Sequence, residues 1–182
     1  SSVITGIFYT DLKFGDLPAL SNSGSNDIFI AKIDKDGNWI WSNSAGGGGS
    51  DTANSIATFN DGSSVITGYF FSNNLQFGNL TELSNRGSSD IFIAKIDRYG
   101  TWMWSKSANG TSNDIASSIA TLSDGSSVIT GYYYSSDLQF GSLSALSNTN
   151  SGSSDIFIAK IDSNGNLPES NMILLQSLKL RN

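Results

Sequence analysis

The sequence predicts an all-β fold of β-propeller blades, built as three tandem four-stranded antiparallel repeats of about 63 residues. Two observations support this prediction. Two blocks of sequence each occur three times, and the residues inside the blocks alternate with a period of two. A period of two places successive side chains on opposite faces of the chain, which is typical of a strand and not of a helix. Four strands per repeat, joined by recurring turns, are the pattern of propeller blades.

The repeated blocks define the unit. The block Ser-Ser-Val-Ile-Thr-Gly begins at Ser1, Ser63 and Ser126. The block Asp-Ile-Phe-Ile-Ala-Lys-Ile-Asp begins at Asp27, Asp90 and Asp155. Chance does not produce this arrangement, so one structural unit is repeated. We assign a structural role to the recurring positions Asp27, Asp90, Asp155, Asp51, Asp114, Gly6, Gly68 and Gly131.

Turn signals delimit four strands in the middle repeat. The predicted strands are 55–59, 63–70, 90–96 and 102–107. The first two are joined by Asn60-Asp61-Gly62, where glycine supplies the positive φ of a tight turn. The last two are joined by an Asp-x-x-Gly turn that begins at Asp97. A β-solenoid is the rival architecture, but its shorter coils would give a finer period.

The blade pattern divides the chain as a single repeat array over 1–182. The predicted parts are a first blade at 1–50 without its innermost strand, a second at 51–113, a third at 114–166 without its usual outer strand, and a divergent tail at 167–182. The tail could complete a blade or a partner, and its apolar part, 172–180, suits a strand or a helix. Propellers use about four to eight blades, so three do not close a ring. We therefore predict closure by a homo-oligomer, a dimer forming a six-bladed ring, or by neighbouring blades of a longer chain.

Composition excludes several functions. Ten basic residues against 16 acidic ones give a net charge of -6, which disfavours nucleic acid, because phosphate binding depends on clustered Lys and Arg. The chain has no cysteine and no histidine, which removes thiolate sites, the usual general base and most metal ligands. No apolar stretch approaches the about 20 residues of a membrane span. We predict no enzyme and no cofactor, since the chemically notable residues recur in every repeat instead of forming one site.

Aspartates raise the question of a metal. The segment 34–38 resembles the start of a calcium loop, but the copy that begins at Asp97 loses the second carboxylate. We interpret both as turns and predict no metal site. At the strand starts, Asp27, Asp90 and Asp155 are interpreted as loop caps, whereas Asp51 and Asp114 are expected to bond backbone amides of the neighbouring blade.

The tryptophans are the candidate ligand-binding residues: Trp39, Trp41, Trp102 and Trp104. In each Trp-x-Trp pair, the period of two predicts that both rings share one face of the outer strand. An exposed pair would form a flat platform that stacks on a sugar ring. The alternative is that both pairs pack between blades.

The run Asp-Ile-Phe-Ile-Ala-Lys-Ile-Asp-x-x-Gly-x-Trp-x-Trp-Ser, with Asp-Gly-Ser-Ser-Val-Ile-Thr-Gly at 124–131, resembles the bacterial β-propeller repeat of the SBBP type. The resemblance extends to Gly165 and ends in the tail, which lacks the Trp-x-Trp pair. It implies four-stranded blades and an extracellular or cell-surface location, and it carries over no catalytic residue. The function expected is a non-catalytic scaffold, adhesion or assembly module of a bacterial surface or secreted protein. A carbohydrate-binding, lectin-like propeller is the alternative, and an extracellular enzyme with a site in the channel is a more distant one.

Overall fold

The computed structural model describes residues 1–149 and 152–167, and this part of the chain contains strands and no helix. The strands are β1 (Ser2–Phe8), β2 (Asp27–Ile33), β3 (Trp39–Gly46), β4 (Asp51–Thr58), β5 (Ser64–Phe70), β6 (Gln76–Phe77), β7 (Asp90–Ile96), β8 (Trp102–Asn109), β9 (Asp114–Thr121), β10 (Ser127–Tyr133), β11 (Gln139–Phe140) and β12 (Asp155–Ile161). The prediction of an all-β fold with antiparallel strands is confirmed. The tail after Leu167, with the undecided segment 172–180, lies outside the described residues.

The strands form three sheets in the described part of the chain. The first has the order β1-β2-β3-β6, the second β11-β8-β7-β5-β4, and the third β12-β10-β9. They are separate open sheets, and these residues form no closed barrel or ring. The same register recurs in each sheet: Ser2 lies opposite Ile33, Ser64 opposite Ile96, and Ser127 opposite Ile161. Nearly identical sequences thus form the same strand pair three times.

Two boundary predictions need correction. The first strand of the middle repeat begins at Asp51, not at residue 55, because the polar segment before Ser55 pairs with the end of β5. The outer strand β8 ends at Asn109, not at residue 107, because the two-residue strand β11 pairs with its last two positions. Neither extension shows an apolar alternation, which is why the sequence pattern missed both.

Each sheet has two faces, which we name from the second sheet. The leading face carries Ile66 and Phe92, and it packs on Ile28 and Ile30 of the first sheet. The trailing face carries Val65, Ile91 and Ile93, and it packs on the third sheet. All seven residues of β7 are buried as a result. This is the burial expected of a strand that is apolar on both faces.

The long loop after the second strand of each repeat is folded onto the leading face of its own sheet. Its leucines close the loop through antiparallel bridges: Leu12 with Leu20, Leu75 with Leu83, and Leu138 with Leu146. The Phe of each Phe-Gly pair inserts beneath it and is buried in all three repeats: Phe14, Phe77 and Phe140. The second and third loops therefore supply part of the core between sheets, whereas the first loop packs on the leading face of the first sheet alone.

Backbone bonds also join neighbouring sheets. The Asp51 amide donates to the Asn26 carbonyl at 2.9 Å, and the Asp114 amide donates to the Ser89 carbonyl at the same distance. Each bond belongs to a parallel bridge, one between Asn26 and Ser50 and the other between Ser89 and Asn113. In both, the residue before an Asp-Ile-Phe-Ile-Ala-Lys-Ile strand pairs with the residue before the first strand of the next sheet. The joints between sheets are thus polar at this end and apolar along the faces.

Candidate functional site

The tryptophan pairs stand at the start of β3 and β8, beside a β-bulge. In β8 the bulge leaves Trp104 opposite Lys95 and Trp102 opposite Ile96, with Met103 as the extra residue. An extra residue breaks the period of two, so the two rings leave opposite faces of the sheet. The same shift occurs in β3. The prediction that both rings of a pair share one face is therefore wrong.

The first ring of each pair packs on the leading face. Trp39 makes an edge-on contact with Phe14, with ring centroids 4.7 Å apart. Trp102 makes the same contact with Phe77 at 4.9 Å, and it is only 9% exposed. The Trp102 indole N–H has no hydrogen-bond partner among the described residues. Trp102 is therefore a core residue, whereas Trp39 is half-buried.

The second ring of each pair bridges two sheets. Trp41 donates its indole N–H to the Arg98 carbonyl at 3.1 Å, and Trp104 donates to the Ser163 carbonyl at 3.0 Å. Both acceptors follow the Asp of the Asp-x-x-Gly turn in the next sheet. Beside the first bond, Asn43 donates to the Gly100 carbonyl at 2.9 Å. The predicted alternative of packing between repeats fits these contacts.

Two clefts lie beside the accessible rings, Trp39 and Trp104. A cleft of about 330 Å³ is lined by Gly15, Asp16, Leu17, Gly37, Asn38 and Trp39. Another, of about 470 Å³, is lined by Leu80, Thr81, Leu83, Met103, Trp104, Ser105, Lys106 and Ser107. Trp41 and Trp102 are 9% exposed and offer no free ring face. Ligand binding at Trp39 and Trp104 stays a prediction.

The Trp39 cleft combines an indole with a carboxylate and an amide. Asp16 and Asn38 are exposed, and the Asn38 amide also donates to the Asp34 carboxylate at 3.0 Å. Planar polar groups beside an aromatic ring can bond hydroxyls while the ring packs on an apolar ring face. Sequence reasoning missed Asp16 and Asn38. The sequence contained a signal, because these two positions differ between repeats: the second repeat has Asn79 and Thr101 where the first has Asp16 and Asn38.

The aspartates at the strand starts cap loops. Asp27 accepts from the Ser23 amide at 2.7 Å and its hydroxyl at 2.8 Å. Asp90 accepts from the Arg86 amide at 2.6 Å and from the Gly110 amide at 2.9 Å. Asp155 is half-buried at the start of β12. For Asp27 and Asp90 the contacts are those of the predicted caps.

Asp51 and Asp114 bind a different partner from the one predicted. The Asp51 carboxylate accepts from the Ser72 hydroxyl at 2.7 Å, and the Asp114 carboxylate accepts from the Ser135 hydroxyl at 2.6 Å. Each serine follows the second strand of the same sheet, so the expected bond to amides of a neighbouring unit is wrong. The link to the neighbour is made by the aspartate's own backbone instead. Burial raises the pKa of both carboxyls, and of Asp90, against the effect of these hydrogen bonds.

The calcium-like segment forms a closed turn. One Asp34 carboxylate oxygen accepts hydrogen bonds from the backbone amides of Asp36 and Asn38, both at 2.8 Å. One Asp97 carboxylate oxygen accepts hydrogen bonds in the same way from the backbone amides of Tyr99 and Thr101. Bonding from the Asn38 amide lowers the pKa of Asp34. These turns use their carboxylates on the backbone, as the turn interpretation requires.

The recurring glycines have a steric role. A Cβ on Gly68 would lie 1.9 Å from the Thr52 carbonyl oxygen, and one on Gly131 would lie 2.0 Å from that of Ile115. Gly6, in the first sheet, has the Phe29 ring over it, 2.8 Å from the same point. These positions admit no side chain because a neighbouring strand or ring occupies the space.

Among residues 1–149 and 152–167, no three acidic side chains gather as metal ligands would. The described part of the chain also contains no helix with the length and apolarity needed to cross a bilayer. A comparison with protein-family models finds no match, and a comparison with curated proteins finds none either. The resemblance to the SBBP-type repeat stays a prediction.

Proposed function

We propose that the chain is a non-catalytic β-propeller scaffold, an adhesion or assembly module of a bacterial surface or secreted protein. Each antiparallel sheet corresponds in this proposal to a blade, and the location is extracellular or at the cell surface. In this proposal the stack of packed sheets is itself the functional structure.

One observation carries the proposal: the polar groups of the recurring Trp and Asp residues form hydrogen bonds within the sheets and between them. Trp41 and Trp104 use their indole N–H groups on the next sheet, while Asp51 and Asp114 use their carboxylates on serines of their own. A catalytic site needs polar groups that are free to meet a substrate. Because these polar groups are hydrogen-bonded at equivalent positions of more than one repeat, they support a structural role.

The alternative is a carbohydrate-binding propeller, and the Trp39 cleft favours it. That cleft holds an indole, the Asp16 carboxylate and the Asn38 amide in one open space of about 330 Å³. The corresponding space in the third repeat has Leu167 where the first has Trp39, and it is only about 210 Å³. A glycan site of this composition would therefore belong to the first repeat and not to the third.

A glycan array and a polysaccharide turnover assay separate these functions. The scaffold proposal expects neither saturable binding nor turnover by the pure protein. Binding that is lost in Trp39→Ala, but kept in Trp41→Ala with its buried ring, would replace the scaffold with the carbohydrate-binding function. Turnover of any polysaccharide would overturn both in favour of an enzyme.

A further inference from the structure

The three copies of Asp-Ile-Phe-Ile-Ala-Lys-Ile have the same sequence and different burial. In β7, the central strand, all seven residues are buried. In β2 the partly exposed residues include Phe29 and Ile33, which lie on the leading face. In β12 they include Ile156 and Ile158, which lie on the trailing face. One sequence therefore loses its cover on opposite faces at the two ends of the stack.

Equivalent isoleucines measure this loss. On the trailing face, Ile28 and Ile91 are 0% exposed, whereas Ile156 is 44% exposed. On the leading face, Ile66 is 0% exposed and Ile4 is 38% exposed. In the described residues no sheet packs on either of these two end faces. Exposed apolar faces of this kind mark interaction surfaces.

We propose that the trailing face of the third sheet binds the leading face of the first sheet in a second copy of the chain. The reason is the joint already present twice inside the chain, where a trailing face with Ile28 or Ile91 meets a leading face with Ile66 or Ile129. On their two central strands, β1 with β2 and β10 with β12, the end faces carry the same residues at the same register as the internal joints, Ile4 and Ile156 among them. Along these strands the two surfaces match each other because the internal pairs match.

A polar contact at the rim of the joint between the first and second sheets supports the same occupant. Lys32 of the first sheet donates to the Arg98 carbonyl in the turn of the second, at 3.2 Å. Lys160 is its equivalent on the trailing end face, and Lys35 stands in the first sheet's turn at the position of Arg98. We expect the Lys160 ammonium of one copy to reach the Lys35 carbonyl of the other. Within one chain the Lys160 ammonium forms an ion pair with the Asp124 carboxylate at 2.9 Å. In the proposed joint the ammonium would either leave Asp124 or contact both oxygens.

Such a joint is heterologous, since different faces of the two copies meet. Two copies can form two such joints, provided that the rotation between sheets closes the ring. This inference rests on the proposed assembly function and names the partner surface. It needs no exchange of strands between copies, so it differs from a dimer held by the tail.

The test uses one charge on each end face and measures mass by light scattering over a wide concentration range. Wild type is expected to reach twice the 19.3 kDa of one chain. Ile156→Asp and Ile4→Asp should each remain at the single mass, because each breaks both joints of a ring. Met103→Asp is the matched control, since Met103 is an apolar residue of the middle sheet that is at least as exposed as Ile4 and Ile156, and it should keep the double mass.

Mixing the two end-face variants decides the geometry. Together they retain one intact pair of faces, so the mixture should recover the double mass that neither variant reaches alone. Loss of the dimer in Ile156→Asp with no loss in Ile4→Asp would mean that two trailing faces meet, and the head-to-tail joint would be wrong.

A wild type that stays at 19.3 kDa at every concentration also overturns the inference. If deletion of residues 168–182 then produces a dimer, the occupant of the trailing face is the chain's own tail. Neither result touches the scaffold proposal, which is tested by glycan binding and turnover.

Discussion

Phe77 and Phe14 form a matched pair that isolates the contribution of a neighbouring sheet. Each is the Phe of a Phe-Gly pair on a leading face. Phe77 contacts Phe92 at 5.4 Å and Trp102 at 4.9 Å, and Phe14 contacts its own Phe and Trp at 5.3 and 4.7 Å. The ring contacts are thus alike. Only Phe77 is enclosed by a second sheet, and it is 0% exposed.

The expected losses follow from this difference. Both changes remove two aromatic contacts and a buried ring, and Phe→Ala changes in a core cost about 3–5 kcal/mol. Phe14 is 9% exposed on a face without a neighbouring sheet, so its site can relax toward solvent and we expect the free energy of unfolding to fall by about 3 kcal/mol or less. Phe77→Ala leaves a cavity between sheets that cannot relax in this way, so we expect a fall of about 5 kcal/mol. For a chain of this size, each kcal/mol lowers Tm by about 2–4 °C.

The assay is urea unfolding, with the midpoint and slope fitted for both variants at a protein concentration low enough to keep single chains. Low concentration matters because a second copy would cover Phe14 as the first sheet covers Phe77. Equal losses for the two variants at low concentration would refute the reasoning, since the neighbouring sheet would then contribute nothing. A Phe14→Ala loss that grows with concentration would support both this argument and the head-to-tail joint.

Two further predictions concern glycine and calcium. Gly68→Ala should lower the free energy of unfolding by at least about 1–3 kcal/mol, because its Cβ would overlap the Thr52 carbonyl oxygen. Gly37→Ala is the control: nothing lies within 4 Å, and only its φ of 88° opposes the change, at about 1–2 kcal/mol, as thermal melting should show. Calcium should leave Tm unchanged, because the Asp34 carboxylate already accepts backbone amides. A rise of many degrees that a chelator reverses would contradict this.

The sequence predicted the strand β7 to its end residues, because both of its faces are apolar and a turn follows at Asp97. It did not predict the faces of the tryptophans. A bulge is one extra residue, and nothing in Trp102-Met103-Trp104 distinguishes a bulged segment from a regular one. The position of a bulge depends on the partner strand, which a local pattern does not contain.

The partner of Asp51 was mispredicted for a related reason. Ser72 lies 21 residues away along the chain, and the contact forms only when β4 pairs with β5 and the chain turns after Phe70. The repeat showed that Asp51 is equivalent to Asp114, and this was enough to assign a structural role. It could not show which of several nearby serines and amides the carboxylate meets. Repetition identifies equivalent residues, whereas pairing and register decide their contacts.

The buried and exposed aspartates should respond to pH in opposite directions. Burial raises the pKa of Asp51 above the value of about 3.9 in an unfolded chain. The folded state then binds the proton more tightly, so this residue's contribution to stability is full below the unfolded pKa and is lost as pH rises through the folded one. For Asp34 the amide of Asn38 lowers the pKa, so its contribution is present above the unfolded pKa and is lost as pH falls.

Asparagine at each position separates the two effects. In Asp51→Asn the side-chain carbonyl can still accept from the Ser72 backbone amide, and the new side-chain amide can donate to the Ser72 hydroxyl, which donates to Asp51 in the wild type. Both contacts can thus be kept, the second with its direction reversed, while the buried charge is removed. We expect this variant to gain Tm relative to wild type near neutral pH and to lose that advantage in acid. Asp34→Asn should lose Tm near neutral pH and approach wild type in acid. Melting curves of the three proteins from neutral pH to below the unfolded pKa provide the measurement. A deficit for Asp51→Asn that is largest at neutral pH would show that the ionised carboxylate stabilises the fold, because its hydrogen bonds to Ser72 would then outweigh the cost of its burial.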